Sequence, residues 1–522
     1  MSQPGAKGTA VDPRERRRRG DAVEVARGTG FTAAGAVFEI ANRFLIALIL
    51  TRALGVSDYG LYTLAISVAV IFSGLADLGL DDAMVRYIAV QNGKRDDRGI
   101  WGTLQIGFGL PVLFGLANGA VLFLAAEPIA VGLFDEPGLI SPLRIVAGVV
   151  PFLTISNVLL GAARGFQRMD YAAFGENVVQ TAIRLVVLGI LSVAGFGAIT
   201  ALVVFGISEA AASVTLIVLL NRVFPLRRPL TTEVRRDTRE VMGFALPMWL
   251  AGLLSQARKN IQTIALGVFG VVADVGIFAL AGRVNLVGRS FYRSVVVAVK
   301  PLLARGHDEG DRDRLTQIYE MATRWLLIVN LPFFLGMVLY PEAILSIFGS
   351  GFVSGASALV VLAWSELLNA ATGVCGSMID MGGYTRAKLA NSVVWVTLQI
   401  VTSVLLIPPF GVLGAAYASL LSLGTVNLLR LVEVWWVDRI LPFHAALWKP
   451  ATAGLVAYGT GRGVDLIRPV GENVWAALWQ GAIVTAVFVV LLIVFRLDEG
   501  DRMLLDRIVG RLRRRISRTR AT

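Results

Sequence analysis

Apolar runs of lipid-spanning length follow one another almost without pause from residue 29 to residue 496. A helix needs about 20 mostly apolar residues to cross a bilayer. Such runs recur at roughly 29–53, 61–89, 100–125, 143–163, 173–195, 197–221, 242–268, 271–299, 315–339, 356–381, 388–407, 411–436, 447–466 and 474–496. Backbone N–H and C=O groups find no water in lipid, so each run must satisfy its own hydrogen bonds as a helix. Only 16% of the 522 residues are charged, too few to coat a soluble surface. The pattern predicts an all-α integral membrane protein with 14 transmembrane helices. No connection is long enough for a folded soluble domain.

The basic residues give these spans a direction. With both termini on one side, that side collects roughly 35 of the 49 Lys and Arg residues. The connections Gln91–Gly99, Phe224–Glu240 and Leu303–Arg314 carry many of them. The other side holds Arg52, Arg462 and Arg468. Basic loops stay in the cytoplasm, so both termini are expected there. The net charge of +12 is accounted for by these loops and by two basic tails, 1–28 and 498–522. The first tail lacks the apolar core of a signal peptide and reads as disordered. Nothing in this distribution points to nucleic acid.

The chain also repeats itself. SDYGLYTLA (Ser57–Ala65) returns as ADVGIFALA (Ala273–Ala281), 216 positions later. EPIAVGLF (Glu127–Phe134) returns as PEAILSIF (Pro341–Phe348) at an offset of 214. Asn177 and Phe196-Gly197 return as Asn391 and Phe410-Gly411, again at 214. Six spans therefore repeat as six spans in the same orientation. The expected division is an N-lobe at 29–222, a cytoplasmic linker at 223–240, a C-lobe at 241–438 and two further spans at 439–497. Parallel lobes of this kind face each other across a central cavity and rock to expose it alternately. The opening pair reads as matching outside turns, with Gly60 allowing a tight reversal and Asp58 and Asp274 as turn residues.

Charges inside spans are costly and mark cavities or partners. Span 1 carries Glu39, Asn42 and Arg43, and span 7 carries Gln256, Arg258, Lys259 and Asn260. The 216 offset places Arg43 on Lys259. Span 8 adds Arg283, Asn285, Arg289 and Arg293, and span 5 adds Arg184. A cavity lined by these cations suits an anionic phosphate or pyrophosphate head group. Glu39, Glu209 and Glu366 are the acids that could couple transfer to protons or sodium. Structural roles stand beside these. Arg43 can pair with Glu39 one helical turn away. Arg86, Lys300, Arg144 and Arg324 lie near helix ends, where they anchor topology. Asp77, Asp81 and Asp82 with Arg86 read as a local ion-pair cluster.

Other chemistries lack their residues. There is no G-x-x-x-x-G-K-[ST] phosphate loop, no nucleophile elbow and no H-E-x-x-H. Cys375 is the one cysteine, and His307 and His444 are far apart in sequence. No catalytic group, metal or cofactor is expected.

The segments Ile49–Ser67, Gly74–Ala89 and Leu159–Val179 resemble the polysaccharide-transport, Wzx-like oligosaccharide flippase branch of the MOP flippase superfamily. That superfamily includes MATE exporters and the lipid II flippase. The resemblance covers roughly residues 29–496. It implies two six-helix lobes in the cell membrane. It also implies a lipid-linked oligosaccharide on a polyprenyl phosphate or pyrophosphate as substrate, with membrane lipids and glycan-assembly enzymes as partners. A drug or metabolite exporter of the same fold is the first alternative, and a membrane-embedded glycan polymerase or ligase is the second.

Overall fold

The computed structural model describes residues 13–224, 234–235, 237–443 and 445–495, with side chains from residue 40 onward except those of 177 and 287. Among these residues the chain is helical throughout, with no strand. The first half comprises α1 (Pro13–Asp77), α2 (Leu80–Gly93), α3 (Asp97–Leu124), α4 (Ile140–Gly165), α5 (Met169–Ala173), α6 (Gln180–Ala194) and α7 (Ala198–Val223). The second comprises α8 (Thr238–Phe269), α9 (Val272–Glu309), α10 (Arg312–Leu339), α11 (Pro341–Ser346), α12 (Ala356–Ala371), α13 (Cys375–Met381) and α14 (Thr385–Asp438). The last pair, α15 (Trp448–Ile467) and α16 (Val474–Val494), packs against α10.

Among the described residues, nine helical stretches are long and apolar enough to cross a membrane. Two of these exceed a single crossing. Ile40–Asp77 and Thr385–Asp438 have 38 and 54 residues. At 1.5 Å per residue they would reach about 57 and 80 Å, against about 30 Å of hydrocarbon. Each is broken by a glycine in a conformation closed to other residues. Gly55 has φ 68 and ψ −170, and Gly411 has φ 53 and ψ −128. The helices α8 and α9 fall outside the nine because polar and charged residues interrupt them.

The reversal between the first two limbs is thus at Gly55, not at Gly60 as the sequence reading has it. Gly60 lies inside the second limb of α1 and serves a different need. A Cβ there would overlap the Val272 carbonyl oxygen at the start of α9, and a Cβ on Gly276 would overlap that of Val56. The two contacts are reciprocal, since 60 and 276, like 56 and 272, differ by the repeat offset. Small residues let backbones touch where helices cross in lipid. The paired acids each lie in the first turn after a helix break, as turn residues do, and each also faces a later helix. The Ala198 N–H at the start of α7 donates to Asp58 Oδ2 at 3.2 Å. Asp274 Oδ2 lies 3.3 Å from where a Cβ of Gly411 would be, and Asp58 Oδ2 lies 3.3 Å from that of Gly197. Each carboxylate therefore sits where a later helix begins, at the positive end of its dipole.

The other repeated segments flank the same crossing. Phe348 packs edge-on against Phe44 at 5.0 Å, and Phe352 against Tyr59 at 5.8 Å. Arg52 Nε donates to the Ile347 carbonyl at 2.9 Å, beside a cavity of about 400 Å³. Phe134, the counterpart of Phe348, reaches the α8 backbone at Gly267. One large apolar core joins both halves around this crossing. Toward the other end the core divides. One part gathers Leu80, Ile88, Leu104 and Leu159 with the start of α8, and the other gathers Val299, Leu303, Tyr319 and Met378. Contacts from the first half to α8 also tie this end. The Trp249 indole donates to the Gly74 carbonyl at 2.9 Å, and the Tyr87 hydroxyl to that of Glu240 at 3.1 Å.

Candidate functional site

Two charged clusters sit among the helices, one in each half. In the first, α6 and α7 face each other and Arg184 meets Glu209. Arg184 Nη2 donates to Glu209 Oε1 at 2.6 Å, and its Nε donates to Ser208 Oγ at 2.7 Å. Gln180, one helical turn from Arg184, donates to the second carboxylate oxygen at 2.9 Å. The guanidinium lies over the Phe205 ring at 4.5 Å. The Arg184 and Glu209 side chains are 19% and 6% exposed. Both charges are therefore held and neutralised inside the helix pair.

The second cluster is built differently. Trp395 on α14 stands between two guanidinium groups, with Arg258 of α8 at 4.5 Å from its ring centre and Arg430 at 5.8 Å. The charges of Arg289 and Arg430 reach Arg258, and those of Arg258, Arg289 and Arg293 reach Lys259. Arg289 Nε approaches Glu366 Oε1 only to 4.0 Å and stays half exposed. Amides link the remainder. Asn369 donates to Glu366 at 3.4 Å, Asn427 to Asn369 at 3.0 Å, and Arg430 to Asn427 at 3.4 Å. Asn391 donates to Glu433 at 2.6 Å. Across these linked residues five cations (Arg258, Lys259, Arg289, Arg293, Arg430) stand against two acids (Glu366, Glu433).

The sequence-predicted residues divide accordingly. Arg258, Lys259, Arg289 and Glu366 come together in the second cluster, while Arg184 and Glu209 pair in the first. Arg283 lies over the Tyr59 ring at 5.4 Å, at the crossing of the halves. Arg43 is exposed and Asn42 half-buried, on the limb of α1 before Gly55. Glu39 lies outside the residues whose side chains are described, so the expected Glu39–Arg43 pair does too. Asn260 turns back to the Gln256 carbonyl at 3.0 Å, within its own helix. Asn285 is set against α12, and its Oδ1 has no partner among the described residues. The residue is 7% exposed and donates to the Leu362 carbonyl of α12 at 3.2 Å. Arg86 leaves the Asp77, Asp81 and Asp82 cluster and covers the Phe244 ring at 4.5 Å.

Sequence reasoning missed Arg430, Trp395 and the amides Asn369 and Asn427. A cation within an apolar run, LLRLVEVWW, was the available signal for Arg430. Trp395 carried none, because an aromatic residue in a span is ordinary.

The family model described as polysaccharide biosynthesis protein matches residues 25–307. A probable flippase of Haloferax volcanii, AglR, is 23% identical over 485 residues, covering 89% of this chain and 95% of its own. Among solved structures, the lipid II flippase MurJ in an inward closed conformation superposes with a TM-score of 0.71 at 14% identity, covering 89% of this chain and 98% of its own. An inward-facing multidrug resistance MATE transporter of the MOP superfamily gives 0.64 at 18% identity, covering 79% and 99%. The fold is thus that of MATE and MurJ, in a multi-pass membrane protein.

Proposed function

The chain belongs to the polysaccharide biosynthesis protein family, and from that membership we propose that it is a flippase for a polyprenyl-(pyro)phosphate-linked oligosaccharide. It moves this substrate from the cytoplasmic to the outer leaflet by alternating access. The proposed topology has fourteen spans and cytoplasmic termini, arranged as two six-helix lobes and a C-terminal pair. The reciprocal glycines at the α1–α9 crossing support the two-lobe reading, with that crossing as the outer seal.

The observation that carries the substrate class is the uncompensated charge around Arg258 and Lys259. Guanidinium groups that lack a full complement of carboxylates need anions, and phosphates supply oxygens for several at once. The relative named as a flippase, matched along nearly its whole length, supports the same reading. The MATE likeness raises an exporter as the rival, but the cation surplus would repel cationic drugs. Glu209 and Glu366 are the proposed coupling acids. Of these, Glu366 is the better placed, since Glu209 has both oxygens engaged.

The test is transfer of a labelled polyprenyl pyrophosphoryl saccharide across proteoliposomes. The Arg258→Ala/Lys259→Ala protein should lose at least about tenfold in rate, the equivalent of 1.4 kcal/mol. It should elute and melt as the parent does. Parental transfer by this double variant would remove the site assignment. Export of a cationic drug with no saccharide transfer by the parent would favour the exporter.

A further inference from the structure

Trp395 stands at the centre of the second cluster. It is half-buried, with cations from two helices over its ring. Asn391 and Gln399 lie four residues before and after it, so the three form one stripe along α14. Both amides are almost fully enclosed, at 1% and 2% exposure. Each is only half satisfied. Asn391 gives its N–H to Glu433, and its Oδ1 has no partner among the described residues. Gln399 Oε1 accepts from the Trp395 indole at 3.4 Å, and its Nε2 has none. Buried polar atoms are rarely left unpaired without a reason such as a ligand or water.

The stripe therefore carries an aromatic face covered by two cations, an unpaired acceptor and an unpaired donor. A pyranose ring has that complementary chemistry. Its C–H face is apolar, and its hydroxyls both give and accept hydrogen bonds. A phosphate has no C–H face and needs only donors. We propose that Trp395 is the docking platform for the sugar next to the phosphate, with Asn391 and Gln399 reading its hydroxyls. On this proposal Arg258 and Arg430 leave the indole for the phosphate oxygens as the sugar takes its face. The assignment rests on the flippase reading and adds a specificity-determining residue to it.

The full chain in proteoliposomes would be given two labelled probes, a polyprenyl pyrophosphoryl disaccharide and the sugar-free polyprenyl pyrophosphate. Trp395→Ala should slow the disaccharide probe about tenfold, as loss of an aromatic stacking contact does, and change the sugar-free probe by less than about twofold. Trp395→Phe should restore most of the disaccharide rate. Arg258→Ala should slow both probes. Equal slowing of both by Trp395→Ala would make Trp395 structural and overturn the platform, as would no slowing of either. A parent protein that moves neither probe would instead overturn the flippase reading.

Discussion

Arg184 and Arg258 are both guanidinium groups set among membrane helices, one in each half of the chain, and their surroundings are opposite. Arg184 has a carboxylate at 2.6 Å, a hydroxyl at 2.7 Å and an aromatic face. Arg258 has an aromatic face and, within reach, the like charges of Arg289 and Arg430. The first arrangement is complete without a ligand. The second has a cation surplus that its own carboxylates leave unmatched among the described residues. A cation in a membrane helix is thus not by itself a binding residue. What separates the two cases is whether its own protein already neutralises it.

The largest effect should come from breaking the complete pair. Glu209→Ala leaves Arg184 buried without its carboxylate, and removing one partner of a buried pair costs about 3–5 kcal/mol. Thermal unfolding in detergent would read this as a large drop in midpoint. Arg184→Met with Glu209→Leu should recover most of it, because two apolar side chains need no mutual neutralisation. A single Glu209→Ala variant as stable as the parent would erase the contrast between the halves.

Next in size is a test of what the halves share. Gly60→Ala and Gly276→Ala each force a methyl group against a backbone carbonyl that cannot swing aside. Overpacking of this kind costs about 1–3 kcal/mol. The two variants should lose similar stability, since the contacts are reciprocal. A large effect at one glycine and none at the other would show the crossing to be lopsided.

The shared features were more legible in the sequence than the contrasting ones. The apolar helices and the 214–216 repeat are statistical properties of long stretches, and each recurs often enough to be read without coordinates. Gly60 reads as the reversal because a glycine two residues after Asp58 looks like a turn. Only a three-dimensional crossing reveals that its missing side chain is needed for contact with Val272. The fate of each charge was not legible, because Arg184 and Glu209 are 25 residues apart on different helices. Asn285 likewise reads as a cavity residue by its polarity, and only the coordinates show its N–H given to Leu362 of α12.

Arg258→Ala alone reverses the sign of the first test. It removes one of several like charges, so the unliganded protein should keep its stability or gain up to about 1 kcal/mol. Saccharide transfer should nonetheless fall. Unfolding midpoints and transfer rates measured on the same preparations would check both. A variant that loses stability as Glu209→Ala does would show that Arg258 also belongs to a completed structural pair.

The smallest expected effect concerns a cation that the repeat places within the first span of each half. Arg43 and Lys259 occupy matching positions, and both side chains are exposed. An exposed charge contributes about 0.2–1 kcal/mol to a neighbouring anion, which is at most about fivefold in rate. Arg43→Gln and Lys259→Gln should each slow transfer by about that amount, and high salt should shrink both effects because solvent reaches them. If an anion lies between the halves, the two variants should match each other in size and in salt dependence. If Lys259→Gln alone slows transfer, the anion is held by the second half only. The asymmetry between Arg184 and Arg258 would then extend to the matched pair, with α1 acting through its crossing with α9 rather than through Arg43.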